Sequence, residues 1–451
     1  METHEMRSAT APGSAELTIP WGDEAPFRLD PPPHWSIADV AEPDLSGPVA
    51  DYPAALRDAL VAPLADPRLE AGASVAIVVD DPSRWTPVRA ALPVVLKRLA
   101  ALGIARDAIT ISAGVGRHHA VDPAAMAERV GPEVAAAYRC FSPPVDDRSA
   151  YDDLGATSDG VPVRVFGPVA RADLRILIGS VLPHMQAGFG GGYKLIFPGT
   201  SHRSTLVALH RRGLGGDGAA RLLGGDAAAN PMRRAIGEAA AKLGPCLSIS
   251  HLLGPPGTVL RVAAGHPDPV QDQLAAEARR RFRAPEVDPS TVDVVVAGNA
   301  PWPGAPMMRF KVLLQHRSAG RPGGVLVGFF WTDPPEIDRT VPMTTLRAIA
   351  ATGAPGGHII RRGLNLADRL MAALGAPNEF LIRWARELVV DRTVLVYAPP
   401  LVERVGPRLG PVRLFRDQAA LWEAAAAALP GVDSPRCRIF PRGGLTYCPA
   451  R

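Results

Sequence analysis

Short apolar runs alternate with helix-like stretches along most of the chain, and no other feature constrains the fold as strongly. Ser74–Asp81 (SVAIVVDD) has five consecutive apolar residues followed by two carboxylates, and Val88–Gly103 has helical spacing and ends at a glycine. Ala108–Gly114 and Asp173–His184 are again strand-like runs that lead into polar loops. Strands separated by helices are typical of parallel sheets covered on both faces. The sequence therefore predicts an α/β fold.

A proline-rich polar stretch at Arg281–Asp293 interrupts this alternation and predicts a domain boundary. Three further strand-like runs follow it, namely Val292–Ala300, Gly323–Trp331 and Thr393–Pro400. We expect two α/β domains with largely parallel sheets, at residues 1–283 and 284–425 of the 451, with the active-site cleft between them. Residues 426–451 are expected to form a tail that packs back on the first domain.

Charge and cysteine content limit the partners and the compartment. The 49 basic and 45 acidic residues are interleaved, and the densest basic run, Arg279–Arg283, is interpreted as the solvated face of a helix. Four cysteines without a CxxC pair favour a reducing compartment. The N-terminal residues lack the apolar segment of a secretory signal, and no apolar run reaches the ~18–20 residues that cross a bilayer. We expect a cytoplasmic protein without a nucleic-acid or membrane partner.

Polar residues follow the predicted strands, at the edge where α/β sheets bind ligands. Asp80, Asp81 and Arg84 come after the first run, the loop Gly114–His119 after the second, and His184 after the third. Arginine binds carboxylate or phosphate in a bidentate manner, so this edge suits a small anionic substrate or a phosphate-bearing cofactor. The alternative for the first group is a capped turn with a local ion pair.

Lys194 stands in an apolar run directly after a glycine-dense turn that contains Gly191 and Gly192. A lysine beside apolar walls can lose its proton and act as a nucleophile or covalent anchor. The alternative is a side chain that extends to the surface. The turn lacks the glycine before and the Ser or Thr after the lysine that a P-loop has, although a phosphate cradle of backbone N–H groups stays open. The histidines fit no zinc template.

The order of five motifs resembles the nickel-pincer lactate racemase family. The motifs are DDPSRWTP (80–87), SAGVGRHH (112–119), PHMQAGFGGGYKLIFPG (183–199), STLVALH (204–210) and NPMRRAIGEAA (230–240). A lysine ten residues after one histidine and sixteen before another is the most specific element. The resemblance spans most of Ser74–Arg283 and implies that residues 1–283 form the cofactor-binding catalytic domain, with 284–425 closing the cleft.

The resemblance implies a nickel-bearing cofactor, pyridinium-3,5-bisthiocarboxylic acid mononucleotide, bound covalently through Lys194. By position, His210 matches the histidine that ligates nickel, and Asp81 matches an aspartate of the cofactor pocket. Gly191 and Gly192 would bring backbone N–H groups to the cofactor phosphate. Cofactor-biosynthesis enzymes that supply the nickel pincer are the implied protein partners.

The implied activity is isomerisation, in which a 2-hydroxy acid is racemised or epimerised by proton-coupled hydride transfer. By position, Arg84 holds the substrate carboxylate, and His184 is one of two histidines that exchange protons with the hydroxyl. The other family histidine falls on Gly116, and His118 is expected to replace it, with His119 as the alternative. Two bases on opposite faces are what inversion of a flattened centre requires.

Several positions depart from the family pattern. Gly190 stands for the family serine, Tyr193 for an arginine and Trp85 for a proline, while the second half offers Arg309 and Lys311 in place of a Tyr-x-x-x-Lys pair. The substrate is therefore lactate or a related acid, larger or more anionic. Two alternatives remain open: a non-catalytic cofactor- or anion-binding homologue, and a metal-free Schiff-base enzyme that uses Lys194.

Overall fold

A computed structural model describes residues 16–65, 72–116, 120–214, 222–302, 306–332 and 379–449, together with 363, 366, 369 and 370. The strands are β1 (Thr18–Trp21), β2 (Glu24–Arg28), β3 (Ser36–Val40), β4 (Val75–Asp80), β5 (Ile109–Gly114), β6 (Arg139–Phe141), β7 (Tyr151–Ala156), β8 (Pro162–Phe166), β9 (Leu174–Ser180), β10 (Pro183–His184), β11 (Gly188–Phe189), β12 (Cys246–Leu253), β13 (Val259–Gly265), β14 (Val294–Gly298), β15 (Val325–Phe329), β16 (Thr393–Tyr397), β17 (Arg408–Leu409), β18 (Val412–Phe415) and β19 (Arg436–Phe440). The α-helices are α1 (Tyr52–Leu60), α2 (Val88–Ala101), α3 (Pro123–Val130), α4 (Pro132–Ala137), α5 (Gly167–Ala170), α6 (Arg203–Arg212), α7 (Pro231–Ala240), α8 (Pro267–Phe282), α9 (Pro306–His316), α10 (Glu379–Val389), α11 (Pro399–Val405) and α12 (Gln418–Ala427).

The larger strands form two mainly parallel sheets, which confirms the predicted α/β fold. The first sheet has six strands in the order β13-β12-β9-β4-β5-β6, and only the β12–β13 pair is antiparallel. All residues of β4 and β9 are buried, as expected for central strands covered on both faces. The second sheet has seven strands in the order β17-β18-β16-β15-β14-β19-β3, and only β17–β18 is antiparallel.

Both ends of the chain contribute to the second sheet. β3, from the first 40 residues, pairs in parallel with β19, which in turn pairs with β14. Further along, Tyr447 lies edge-on against Phe189, with ring centroids 6.1 Å apart. The division at residues 283 and 425 stays a prediction.

The basic run near the end of α8 is a solvated face only in part, since Arg280 and Arg283 are exposed. The side chain of Arg281 is only 14% exposed and pairs with Glu277 at 3.0 Å. Arg279 donates hydrogen bonds to the carbonyls of Gly224 and Gly225, each at 3.0 Å. The prediction missed these two residues because the partners of their guanidinium groups come from distant loops as well as from their own helix. The four cysteines are free thiols. Among the described residues, no helix combines the length and apolar character needed to cross a bilayer.

Candidate active site

The site lies at the carboxyl ends of three neighbouring strands, β9, β4 and β5. Their parallel register brings the ends of β4 and β5 together, with Asp80 opposite Gly114. The loop after β5 also reaches the chain beyond Lys194, because the Gly116 N–H donates to the Gly199 carbonyl at 2.8 Å. The strand order thus joins the loops that the sequence predicted to carry the chemistry.

A tight turn presents Lys194. β10 and β11 form a short antiparallel ladder in which His184 is opposite Gly188. Gly191 and Gly192 then have φ of 80° and 59°, a region that L side chains rarely adopt. A Cβ at Gly191 would lie 3.0 Å from the Ser180 carbonyl oxygen. The turn therefore needs glycine before the chain enters the 3-10 helix Gly192–Leu195.

Lys194 is surrounded mainly by positive charge. Although part of its surface is accessible, burial lowers the pKa of its amine to about 7, with further lowering by Arg84, Arg233 and Lys311. Asp81 raises the pKa of Lys194, but its effect is outweighed by the others. A large share of this lysine is therefore a neutral amine at neutral pH, the form that can act as a nucleophile.

His184 lies in the same cluster of charges. Burial, followed by Lys194, Lys311, Arg84 and His210, holds the pKa of its imidazole well below the usual value. Its Nδ1 accepts backbone hydrogen bonds from Gln186 at 3.2 Å and Ala187 at 3.1 Å. The neutral ring therefore carries its proton on Nε2, because the bond at one ring nitrogen fixes the tautomer at the other.

His210 lies in the last turn of α6. Its Nδ1–H donates to the Leu206 carbonyl at 2.8 Å, one helical turn earlier. This bond leaves the lone pair on Nε2, the tautomer suited to bind a metal ion. Its effect on the pKa of His184 places the two imidazoles in one cluster. No group of three His, Cys, Asp or Glu side chains within the described ranges could hold a metal ion.

Arg84 meets the second half of the chain. Its guanidinium stacks on the Trp302 ring, 4.7 Å from the centroid, and Trp302 contacts Trp85 edge-on at 4.9 Å. The Trp85 indole donates to the Gly254 carbonyl at 2.8 Å, so Trp85 is held to one side. The Nη1 of Arg84 is buried and has no hydrogen-bond partner among the described residues. Such an atom is suited to a bound carboxylate.

The two aspartates after β4 have different environments. Asp80 pairs with Arg129 and accepts a hydrogen bond from the Thr86 hydroxyl at 2.6 Å. Asp81 accepts the backbone N–H of Ser83 at 2.8 Å and acts electrostatically on Lys194. The local ion pair considered from sequence therefore exists at Asp80, but its partner is Arg129 rather than Arg84.

Sequence reasoning missed that Arg233 in α7 lowers the pKa of Lys194 and that Trp302 stacks on Arg84. Arg233 was visible in the NPMRR motif, but nothing in the motif indicated its contacts with the glycine turn. Lys311 was noted only as a departure, and the structure brings it within electrostatic reach of His184 and Lys194. His118 and His119, and the side chain of Arg309, lie outside the described residues.

Comparisons with known proteins find similarity to lactate racemases in sequence and in fold. Residues 23–221 match the family model described as the lactate racemase N-terminal domain. The lactate racemase of Lactiplantibacillus plantarum is 28% identical over 138 residues, which is 30% of this chain and 32% of that protein, so the match spans about a third of the relative.

Two solved structures resemble the fold. The lactate racemase apoprotein from Thermoanaerobacterium thermosaccharolyticum has a TM-score of 0.78 at 17% identity, covering 96% of this chain and 100% of that chain. A protein from Thermotoga maritima has a TM-score of 0.58 at 14% identity, covering 88% of this chain and 97% of that one. At these identities the likeness concerns the fold alone.

Proposed function

We propose, from the premise that the chain is a divergent member of the lactate racemase-like family, that it racemises or epimerises a 2-hydroxy acid. The observation that carries the proposal is the cluster at the sheet edge. Lys194, Arg84 and His210 all act electrostatically on His184 there, and Arg84 also acts on Lys194. These residues stand in the order of motifs that the family has.

The residues present suit the nickel-pincer cofactor that the family implies. Lys194 offers a largely neutral amine for covalent attachment, and His210 offers Nε2 as one nickel ligand. No hydrogen bond from the N–H groups of Gly191 or Gly192 to another described residue is present, so both can serve a phosphate. Asp81 would line the same pocket. When bound, the cofactor supplies an acceptor for the hydride on C2 of the substrate.

Arg84 binds and orients the substrate carboxylate in this proposal. Its buried Nη1 lacks a partner among the described residues, and Trp302 covers one face of the guanidinium. An ion held in this way keeps its carboxylate fixed while the adjacent carbon flattens. Lys311 adds positive charge to the same cavity, which favours an acid that is more anionic than lactate.

His184 carries its proton at Nε2. The neutral ring donates a hydrogen bond from Nε2 to a substrate oxygen, and it would give up that proton only from the imidazolium form. When the other enantiomer reacts, a second base on the opposite face of the substrate must take the hydroxyl proton. We propose His118 for this role, with His119 as the alternative. Both follow Gly116 in the sequence, and Gly116 itself donates to the Gly199 carbonyl.

The test is to produce the protein together with the cofactor-making enzymes and measure its intact mass, its nickel content and its effect on chiral 2-hydroxy acids. We expect an adduct on Lys194 and loss of optical purity for at least one acid. Lys194→Ala is the matched control and should carry neither adduct nor activity. An unmodified Lys194 without nickel under these conditions would refute the proposal.

A cofactor-binding homologue without catalysis is the second candidate, and Gly116 favours it. This residue has φ of 53° and bonds Gly199, so the backbone where the family histidine stands is adapted to glycine. Such a protein would bind the cofactor yet leave the C2 hydrogen of every acid unexchanged. Any turnover of a 2-hydroxy acid by the loaded protein excludes it.

A further inference from the structure

Arg233, on α7, is the most heavily hydrogen-bonded cation near Lys194, and the proposed reaction gives it no part. Its guanidinium donates to the carbonyls of Ala187 at 3.1 Å, Gly190 at 3.0 Å and Gly191 at 3.3 Å, and also to that of Phe189. These four acceptors lie within five consecutive residues, 187–191, and the last of them is three positions before Lys194. An arginine on the exposed face of a helix can be solvated by water and does not need four backbone carbonyls as acceptors.

The contacts fix the direction of the glycine turn. Gln271, on α8, supports the same turn, because its amide donates to the Gly190 carbonyl at 2.9 Å. The Gly191 carbonyl accepts both from Arg233 and from the Lys194 backbone N–H, the latter at 3.3 Å. The carbonyls therefore point towards α7 and α8. The Gly191 carbonyl is therefore shared between the Arg233 guanidinium and the backbone of Lys194, the residue that the turn presents.

The same guanidinium also acts on the amine of Lys194. Burial lowers the pKa of Arg233 to about 10, so it stays charged at neutral pH. The charged groups acting on Lys194 are Arg84, Arg233 and Lys311, all of which lower its pKa, and Asp81, which raises it. Arg233 also binds the backbone leading to Lys194.

We propose that Arg233 is a positioning residue that holds the glycine turn from behind and so keeps the amine of Lys194 presented for acylation. This inference rests on the proposed function only in taking Lys194 as the point of cofactor attachment. Its contacts belong to the protein without cofactor, so it can be tested before any loading.

The first measurement is hydrogen exchange of the full-length protein without cofactor, read on peptides covering residues 182–197. In Arg233→Met, the amides of the turn should exchange about tenfold faster or more, because four carbonyls lose their donor. Arg234→Met is the matched control. It is the exposed neighbour on the same helix, with one bond to the Ala228 carbonyl at 3.3 Å, and should exchange like the wild type.

The second measurement is the pH profile of Lys194 acylation by limiting acetic anhydride, quantified by peptide mass spectrometry. The amine forms an N–C bond, acetate leaves, and the proton passes to solvent. The exposed Lys242 serves as the internal reference. Wild-type Lys194 should titrate near pH 7. Arg233→Met should move the midpoint up by about one unit, which lowers acylation at pH 7 by about fivefold relative to Lys242.

Arg233→Lys separates the two effects, because it keeps the charge but loses the forked donor set. Arg233→Lys should shift the midpoint of Lys194 acylation less than Arg233→Met does. The amides of the turn should still exchange faster than in the wild type. The inference is overturned if a folded Arg233→Met leaves both the exchange and the profile unchanged. Should Arg233→Met fail to fold, wild-type exchange of the turn in Arg233→Lys overturns it. Failure of the proposed function would look different: the profile would depend on Arg233, yet Lys194 would acquire no cofactor.

Discussion

Lys194 and His184 owe their proton states to the same surroundings. Burial is the largest cause for both, and Arg84 and Lys311 add to it. The result is a neutral imidazole at His184 and an amine at Lys194 of which a large share is neutral at neutral pH, both close to several cations. A neutral amine and a neutral imidazole are the forms that can attack, donate or accept, which is why perturbed groups of this kind mark functional sites.

The lowered pKa of Lys194 predicts a pH-dependent stability. Between pH 7 and the unfolded-state value near 10.4, the unfolded chain binds a proton that the folded protein does not. Because the unfolded state then binds more protons, this group makes the free energy of unfolding rise with pH in that window. Urea unfolding measures this effect as the difference in the free energy of unfolding between the wild type and Lys194→Met. From pH 7 to pH 9 we expect that difference to increase by on the order of 1–2 kcal/mol. A difference that stays constant or falls would contradict the assignment.

Removal of His184 should separate binding from turnover. His184→Ala in the loaded protein should retain the adduct and nickel but lose about 10²–10⁴-fold in turnover, the usual contribution of a positioned proton-transfer group. Adduct by intact mass and racemisation by chiral chromatography are the two measurements. The exposed His34→Ala is the control and should be unaffected. Normal racemisation by His184→Ala would remove this residue from the reaction.

At the scale of elements, the glycine turn and the two helices behind it form one unit. The turn depends on left-handed backbone at Gly191 and Gly192, and α7 and α8 supply the donors that hold it. Helix α7 is itself well delimited, since the Asn230 side chain caps it by accepting the Arg233 N–H at 3.1 Å. Arg233 thus takes part in the helix cap through its backbone N–H and binds the turn through its side chain.

Two glycine substitutions should have opposite effects on stability. Gly191→Ala places a methyl group 3.0 Å from both the Ser180 carbonyl and the Val181 side chain at a φ of 80°. We expect it to destabilise the protein by about 1–3 kcal/mol. Gly237→Ala, in the interior of α7 with no atom near the added methyl, should stabilise it by about 0.5–1 kcal/mol. Urea unfolding measures both, and equal effects would mean that the turn is not constrained as described.

At the scale of the whole molecule, the site needs both halves of the chain. The first sheet provides Arg84 and Lys194, while Trp302 and Lys311 follow β14 of the second sheet. A single hydrophobic cluster also contains residues of both, such as Leu182 and Phe189 together with Val295. The group proposed to bind the substrate carboxylate is therefore held partly by an aromatic ring from the other half.

Trp302→Ala should weaken carboxylate binding through Arg84. A cation–π contact is worth about 0.5–2 kcal/mol, so the Kd for oxamate, a small carboxylate, should rise by about 2- to 30-fold. Isothermal titration measures this without turnover. Trp302→Phe keeps a ring under the guanidinium and should recover most of the affinity. Equal affinity in wild type and Trp302→Ala would show that Trp302 does not position Arg84.

Part of the fold and site was accessible from sequence because the signals are local. Buried strands such as β4 and β9 are mainly apolar runs, and the spacing of His184, Lys194 and His210 is a property of the chain itself. The partner of Asp80 was not accessible, because Arg129 lies 49 residues away and reaches it only through the packing of α3. The contacts of Arg279 and Arg281 in the basic run were not accessible for the same reason.

The sequence by itself determined the α/β class, the positions of the principal strands and the turn that only glycine can form, because each depends on residues close together in the chain. The tertiary structure decided which strand ends are neighbours, that β3 and β19 lie side by side in the second sheet, and that Arg233, Trp302 and Lys311 adjoin the site. It also decided the proton states of Lys194 and His184. A pKa depends on desolvation and on charges brought from distant parts of the chain, which no local pattern encodes.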